Sequence, residues 1–419
     1  MLKKIKNIWQ MLGPGVTTGA ADDDPSGIAT YSQTGAQFGF KFLWLAPYSL
    51  VLMGVVQEMC ARIALVTGRG LAENIRIHFS KKWLYFCGTF VILANTLNIG
   101  ADLGAMADVI QMFWTSVPFW IPLVLIAAIT LLLEVFVSYD EYAKYLKWLA
   151  MTLLAYIFTG IILHFDLKTI LHDTFVPSFG FTQGDILIVA AILGTTISPY
   201  LFFWQTSQEI EDEINKGKVS VELRVAEGPK AIKQMQYDVW GGMFLSNIVM
   251  FFIIAVCAST LYKSGIHDIT SARQAAEALR PLAGDLSYFL FTLGILGTGF
   301  LAIPVLAASS AYIFSETFDY KEGLYRKAKD AKAFYLVIVL SVLFGLLFNF
   351  FGINPIKALV YTSVANALVA PIGLVFILLL AGNKRIMGEH RNGKLGGFIG
   401  WLTTILMIVV AAVTLWQIF

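Results

Sequence analysis

Charge is what this sequence has least of. Only 14% of its 419 residues are Asp, Glu, Lys or Arg, whereas 57% are hydrophobic and the mean hydropathy is +0.71. A soluble domain of this length carries about 25% charged residues, so the composition describes a polytopic membrane protein. Cysteine is also scarce. Cys60, Cys87 and Cys257 sit in apolar stretches without paired spacing, which excludes a disulfide framework and a zinc site. The five histidines are scattered at 78, 164, 172, 267 and 390, none in the middle of an apolar span, which argues against a histidine proton relay. The basic N-terminus MLKKIKNIWQ runs into a glycine-rich span with no small-residue cleavage site and reads as a retained cytoplasmic segment.

A helix needs ~20 apolar residues to cross a bilayer. Eleven stretches meet that requirement: 13–37, 42–67, 83–112, 118–138, 145–165, 185–208, 237–262, 285–316, 333–351, 356–381 and 396–418. No separate soluble domain stands out, and the long charged connection 209–236 is expected to be partly helical. With the N-terminus in the cytoplasm, six cytoplasmic segments collect 23 of the 30 basic residues. The positive-inside rule therefore predicts a multi-pass protein of the cell (inner) membrane, N-terminus in and C-terminus out.

Three consecutive aspartates, Asp22, Asp23 and Asp24, interrupt the first span in GAADDDPSGIATY. Carboxylates at mid-membrane cost several kcal/mol and are retained mainly for function. Pro25 and Gly27 follow directly and are expected to loosen the helix, freeing carbonyls near Asp24. A carboxylate among carbonyls and hydroxyls makes an all-oxygen site suited to hard cations. The sixth span carries a similar interruption, GTTISPY, with Pro199 among small hydroxyl residues. Spans one and six are five apart, an odd number, so two five-helix units would be inverted, and broken helices at matching places mark a transporter site. The alternative is that Pro25 and Pro199 merely kink packed helices.

The chain resembles the NRAMP divalent-metal transporters along nearly its whole length. The resemblance rests on the eleven-span layout, GPG at the start of span one, the Asp-Pro-Gly-Asn-like motif at 24–27 and QEMCARIALVTGRGLAENI at 57–75. GADLGAMADVI in span three and the Ala-x-x-Met-Pro-His-like motif at 195–200 add to it. It implies an all-α membrane protein with a LeuT-like fold and eleven transmembrane helices. Residues 1–165 would form the first five-helix repeat, 166–381 the inverted second, and 382–419 a peripheral eleventh helix. Helices one and six would be broken, with the metal between them.

Departures from the family pattern shift the expected cargo. Ser26-Gly27 stands where the family has Gly-Asn, and Thr195, Ser198 and Tyr200 replace its Ala, Met and His. A hydroxyl in place of a soft thioether, among small side chains, suits an ion that keeps part of its water, as Mg²⁺ does. This resembles the NRAMP-related branch that carries Mg²⁺ as well as Mn²⁺. The expected metal-site residues are Asp24, Ser26, Gly27, Thr195, Thr196 and Ser198. Asp22 and Asp23 are expected to form an acidic aqueous vestibule, with Asp102, Tyr200, Ser363 and Asn366 lining the cavity. Asp102 matches a family aspartate that passes protons, but Ala105 and Tyr200 occupy its relay partners' positions, so transport is expected to be weakly coupled or uncoupled.

Several residues keep two readings. Asp102 fits either a cavity carboxylate or a structural one, and Ser363 and Asn366 fit either cavity lining or helix–helix hydrogen bonding. Gln205 and Gln208 suit an exit path or a polar helix end, and Arg62 and Glu73 suit a cytoplasmic gate or packing. Glu134 is expected to pair with a nearby lysine at most. The expected partners are the transported ion and the lipid bilayer, with no nucleic acid; the protein is expected to be a monomer without a cofactor. Rival readings are a proton-coupled Mn²⁺/Fe²⁺ importer, a carrier of another small cationic solute, and a non-transporting cation sensor. A membrane enzyme fits least, because no nucleophile–base pair lies within the spans.

Overall fold

The computed structural model describes residues 13–137, 151–225 and 229–418, which are helical with no strand among them. The first half contains α1 (Pro14–Asp22), α2 (Pro25–Phe38), α3 (Leu45–Thr67), α4 (Leu71–His78), α5 (Lys81–Gln111), α6 (Trp120–Phe136) and α7 (Leu154–Ile162). The second half contains α8 (Gln183–Thr196), α9 (Pro199–Asn215), α10 (Pro229–Cys257), α11 (Ser287–Phe318), α12 (Lys332–Phe348), α13 (Pro355–Gly382) and α14 (Lys394–Ile418). Among the described residues, eight helical stretches are long and apolar enough to cross a membrane, α8 and α9 together counting as one. The first broken helix and two shorter apolar helices occupy the other expected spans, although the start of span five lies outside the described residues. The charged connection 209–236 is more helical than a linker: α9 continues to Asn215, and α10 begins at Pro229.

Burial sorts the helices into layers. The most apolar window of α8–α9 is 94% buried, whereas those of α12 and α14 are only 33% buried. Phe344 and Leu347 of α12 and Phe398 and Ile405 of α14 face outward, as lipid-facing side chains do at the edge of a bundle. The eleventh expected span is therefore peripheral. α5 runs through the middle against α11, α12 and α13, while α8 lies along α13 and α1 along α10.

Small residues set how close these helices come. A Cβ on Gly19 of α1 would sit 2.3 Å from the carbonyl oxygen of Gly242 in α10, so the two backbones touch there. The start of α1 is held by α10 as well: Asp238 accepts hydrogen bonds from the N–H groups of Gly13 (2.8 Å) and Gly15 (2.6 Å). A helix start leaves its first N–H groups without partners, and here a side chain more than 220 residues away supplies one. Asp238→Ala is expected to cost roughly 0.5–2 kcal/mol, the range for a lost N-cap. A lowered unfolding midpoint in detergent would register that loss, and an unchanged midpoint would show the clasp to be inert.

Candidate functional site

The two broken helices share one backbone solution. α1 ends at Asp22; Asp23 then turns (φ −84°, ψ 48°), Asp24 is extended (φ −68°, ψ 170°), and Pro25 opens α2. α8 ends at Thr196; Ile197 turns (φ −108°, ψ 53°), Ser198 is extended (φ −74°, ψ 132°), and Pro199 opens α9. Proline suits the first helical position because its missing N–H would have no helical partner there. Each proline thus starts a second half-helix and does not kink a continuous one. The carbonyl of Asp24 is already taken by the Ile28 N–H (3.0 Å), so the break leaves the closing carbonyls of α1 and α8 without helical partners, and not those after Asp24.

Asp24 caps α2 and is oriented from two helices. Its Oδ1 accepts from the Ser26 hydroxyl and the Gly27 N–H, both at 2.7 Å, and its Oδ2 accepts from Asn98 Nδ2 of α5 at 3.0 Å. The Ser26 hydroxyl also lies 3.5 Å from Thr195 Oγ1, so hydroxyls from the two breaks meet beside the carboxylate. Gly27 takes part through space: a Cβ there would lie 3.2 Å from the Asp22 carbonyl oxygen and 3.3 Å from Thr195 Oγ1. It sits in the regular first turn of α2, so it does not loosen the helix as its sequence position suggests.

Hydroxyls of the second break close the end of α8. Ser198 Oγ lies 2.8 Å from the Gly194 carbonyl oxygen and 2.7 Å from that of Thr195, while Thr196 donates to Ile192 (2.9 Å). Each hydroxyl gives its proton to backbone and keeps its oxygen lone pairs. Tyr200 ties the breaks together by donating to the Ala21 carbonyl at 3.0 Å. Further along, Thr18 of α1 donates to Gln205 of α9 (2.5 Å), which donates to Glu209 (2.8 Å). Gln205 therefore joins the two half-helices, while Gln208 makes only a long contact to Tyr312 (3.5 Å).

Asp22 and Asp23 do not form an open aqueous vestibule. They are 0% and 5% exposed, and Ser246 Oγ of α10 lies 2.6 Å from Asp22 Oδ2 and 3.2 Å from Asp23 Oδ1. The reason is the close α1–α10 approach at Gly19, which brings Ser246 against the end of α1. Asp102 stands one turn beyond Asn98 on α5, fully buried, with neither carboxylate oxygen hydrogen-bonded among the described residues. On α13, Ser363 accepts from Thr30 of α2 (3.1 Å) and donates to Leu359 (3.0 Å), the helix–helix bond allowed for it above. Asn366, one turn on, is 1% exposed, with neither amide atom partnered among the described residues.

The outlying candidates fall away from this centre. Arg62 bonds Asn392 (2.5 Å) and approaches Glu58 (3.7 Å), which ties α3 to the segment before α14. Glu73 pairs with Arg76 along α4 (3.8 Å) and with Arg69 just before it (3.2 Å). Glu134 is buried with no partner among the described residues; Lys144 and Lys147 lie outside them.

Four carboxylates, those of Asp22, Asp23, Asp24 and Asp102, are thus buried together. The charged groups that act on them are one another, and no basic side chain pairs with any of them among the described residues. Uncompensated buried charge is strongly unfavourable, and a cation among the four would offset it. No three His, Cys, Asp or Glu side chains among the described residues converge closely enough to form a metal cluster. The set around Asp24 is one carboxylate with hydroxyls and an amide. Asn98 and Ser246 escaped the sequence reading. The available signal was polar residues inside apolar runs, Asn98 four before Asp102 and Ser246-Asn247 in MFLSNIVMFF.

Residues 15–417 match the family model described as "Natural resistance-associated macrophage protein-like". The divalent metal cation transporter MntH of Caldanaerobacter subterraneus is 25% identical, with 99% of this chain and 94% of that protein aligned. MntH of Bacillus subtilis is 24% identical over 98% of this chain and 92% of its own length. Among solved structures, a variant of the Eremococcus coleocola manganese transporter superposes with a TM-score of 0.75 at 18% identity, covering 98% of this chain and 87% of that one. Mhp1, a nucleobase-cation-symport-1 family transporter, superposes with a TM-score of 0.60 at 14% identity, covering 96% and 90%. These likenesses establish a LeuT-like membrane fold, in keeping with the matched breaks five spans apart. The match over almost the entire chain settles the family: this protein belongs to the Nramp family.

Proposed function

We propose that the protein is a multi-pass membrane transporter of divalent cations, carrying Mg²⁺ and also Mn²⁺ by alternating access. The observation that carries this reading is the buried group of four carboxylates around the paired helix breaks, with no basic partner among the described residues. The names of the relatives, divalent metal cation and manganese transporters, support the cargo class. Asp24 is the charged ligand. Ser26, Thr195 and Ser198 offer hydroxyl oxygen, the end of α8 at Thr195–Thr196 offers backbone carbonyls, and Gly27 leaves the room. Asp22 and Asp23 add negative potential, and Asp102, Tyr200, Ser363 and Asn366 line the approach.

Oxygen ligands and small side chains favour a hard ion that sheds only part of its water. With few direct ligands, binding is weak enough for release, as transport requires. Residues 1–165 and 166–381 act as the two inverted repeats and 382–419 as the added helix. The basic-rich face lies in the cytoplasm, with the C-terminus outside, and the unit is a monomer. Asp102, one turn beyond Asn98, favours the rival proton-coupled reading; Ala105 and Tyr200 stand where its relay partners' carboxylate and imidazole would be. Proteoliposomes carrying metal- and pH-sensitive dyes test both points. The expected result is uptake of Mg²⁺ and Mn²⁺ with no internal acidification. Fe²⁺ or Cd²⁺ uptake without Mg²⁺ would overturn the cargo, and acidification following metal entry would establish coupling.

A further inference from the structure

Asn98 reaches Asp24 from α5 with only half of its amide in use. Nδ2 donates to Asp24 Oδ2 at 3.0 Å, whereas Oδ1 of this fully buried side chain has no hydrogen-bond partner among the described residues. An amide oxygen enclosed without a partner is a costly arrangement, and it stands beside the charged ligand of the site. Gln57 and Asn366 also carry unpartnered buried amides, but neither is bonded to Asp24.

The lone pairs of Asp24 set where an ion can approach. Oδ1 accepts from both the Ser26 hydroxyl and the Gly27 N–H, which uses its lone-pair sites. Oδ2 accepts from Asn98 and keeps a site open, so an ion on Asp24 binds at Oδ2, next to the amide. As it stands, that amide turns a donor toward the cation, which is the wrong polarity. A half-turn about its last side-chain torsion, a broad two-fold one, brings Oδ1 to where Nδ2 now lies. Oδ1 would then stand about 3.0 Å from Asp24 Oδ2. Neighbouring ligands of an octahedral Mg²⁺, each roughly 2.0–2.1 Å from the ion, are about 2.8–3.0 Å apart. The exchange therefore needs no movement of α2 or α5.

We propose that Asn98 is a ligand of the transported ion, and that its amide turns over as the ion arrives. In the empty site the N–H steadies Asp24; in the loaded site Oδ1 joins Asp24 Oδ2 on the cation. Gly27, in the first turn of α2, has no side chain to offer, so the amide comes from α5. Turning over also serves Asp102. It lies four residues on, a neighbour of Asn98 on the helix surface, and both its oxygens lack partners among the described residues. The turned N–H groups find their acceptor there. Because the ion must displace a hydrogen bond to reach Oδ2, binding stays weak enough for release. The assignment rests on the divalent-cation reading of the Asp24 site above.

Mg²⁺ binding to the purified full chain, read by calorimetry, tests the ligand. Asn98→Leu loses both polar ends and is expected to weaken binding by about tenfold or more. Asn98→Asp keeps an oxygen without the N–H donor and is expected to retain binding. Unchanged or tighter binding by Asn98→Leu would reduce Asn98 to a partner of the empty carboxylate, and equal losses in both variants would leave it a positioning residue. Either result overturns the proposal. Infrared difference spectra of protein labelled at the asparagine side-chain carbonyl give a second measurement, should the unfolding midpoint show Asn98→Leu to be misfolded. Mg²⁺ is expected to shift one carbonyl band of the wild type to lower frequency, a shift that Asn98→Asp lacks. No shift in the wild type, or the same shift in both, would also overturn it. Normal Mg²⁺ binding by Asp24→Asn would overturn the site itself, whereas binding lost there but kept in Asn98→Leu would overturn the Asn98 ligand alone.

Discussion

Asp24→Asn is expected to abolish cation uptake while leaving the protein folded. Asn and Asp are equivalent N-caps, so the introduced amide oxygen can still accept from the Ser26 hydroxyl and the Gly27 N–H. On the other side, the amide nitrogen would face Asn98 Nδ2, donor against donor. Asn98 can relieve this by turning over, because its Oδ1 has no present partner and becomes the acceptor. What the substitution removes is the charge. Removing one member of a buried charge pair costs about 2–5 kcal/mol. At 1.4 kcal/mol per tenfold, that is a fall in uptake of roughly 30-fold to several thousand-fold. Initial rates in liposomes alongside an unfolding curve make the measurement. Normal uptake by a folded variant would place the ion elsewhere. Asp24→Ala is a poorer test, since it also loses the cap, at about 1 kcal/mol.

The second large effect is expected at Gly194, which carries no chemistry. A Cβ there would sit 1.9 Å from the Ser363 carbonyl oxygen and 2.6 Å from the Ala367 N–H nitrogen. Both are backbone atoms of α13, so no rotamer change can relieve the overlap. Overpacking typically costs about 1–3 kcal/mol, and a backbone clash belongs at the upper end or beyond. Gly194→Ala must push α8 away from α13, carrying Thr195 and Ser198 out of register with Asp24. Both a lowered unfolding midpoint and a loss of uptake are expected. Gly241→Ala is the control: nothing lies within 4 Å of its added Cβ, and alanine is worth up to about 1 kcal/mol over glycine inside a helix. If both variants behaved alike, the α8–α13 contact would not be what positions the site.

Asp22 and Asp23 show why sequence reasoning places residues better than it places their surroundings. Three aspartates in a row mark an unusual point on the chain, and the mark is correct. Whether they meet water depends on how near α10 comes, and that is set by Gly15, Gly19 and Gly242 acting across more than 220 residues. Asn98 is the converse case. Alone it is a polar residue in an apolar helix; packed, it directs its amide at Asp24 and leaves an unpartnered oxygen beside the site.

The sequence by itself determined the membrane class, the position of both helix breaks and the residues inside them. These are local matters: apolar length decides whether a helix can lie in lipid, and a proline fits the first position of a helical run, where its missing N–H has no partner to lose. Only the tertiary structure decided which carboxylates are buried, which hydroxyls are spent on backbone, and that Asn98, Ser246 and Asp238 belong with the first broken helix. Those outcomes depend on hydrogen bonds between segments far apart in the chain. Their partners are chosen by how closely the helices pack, and no local pattern of residues specifies that distance.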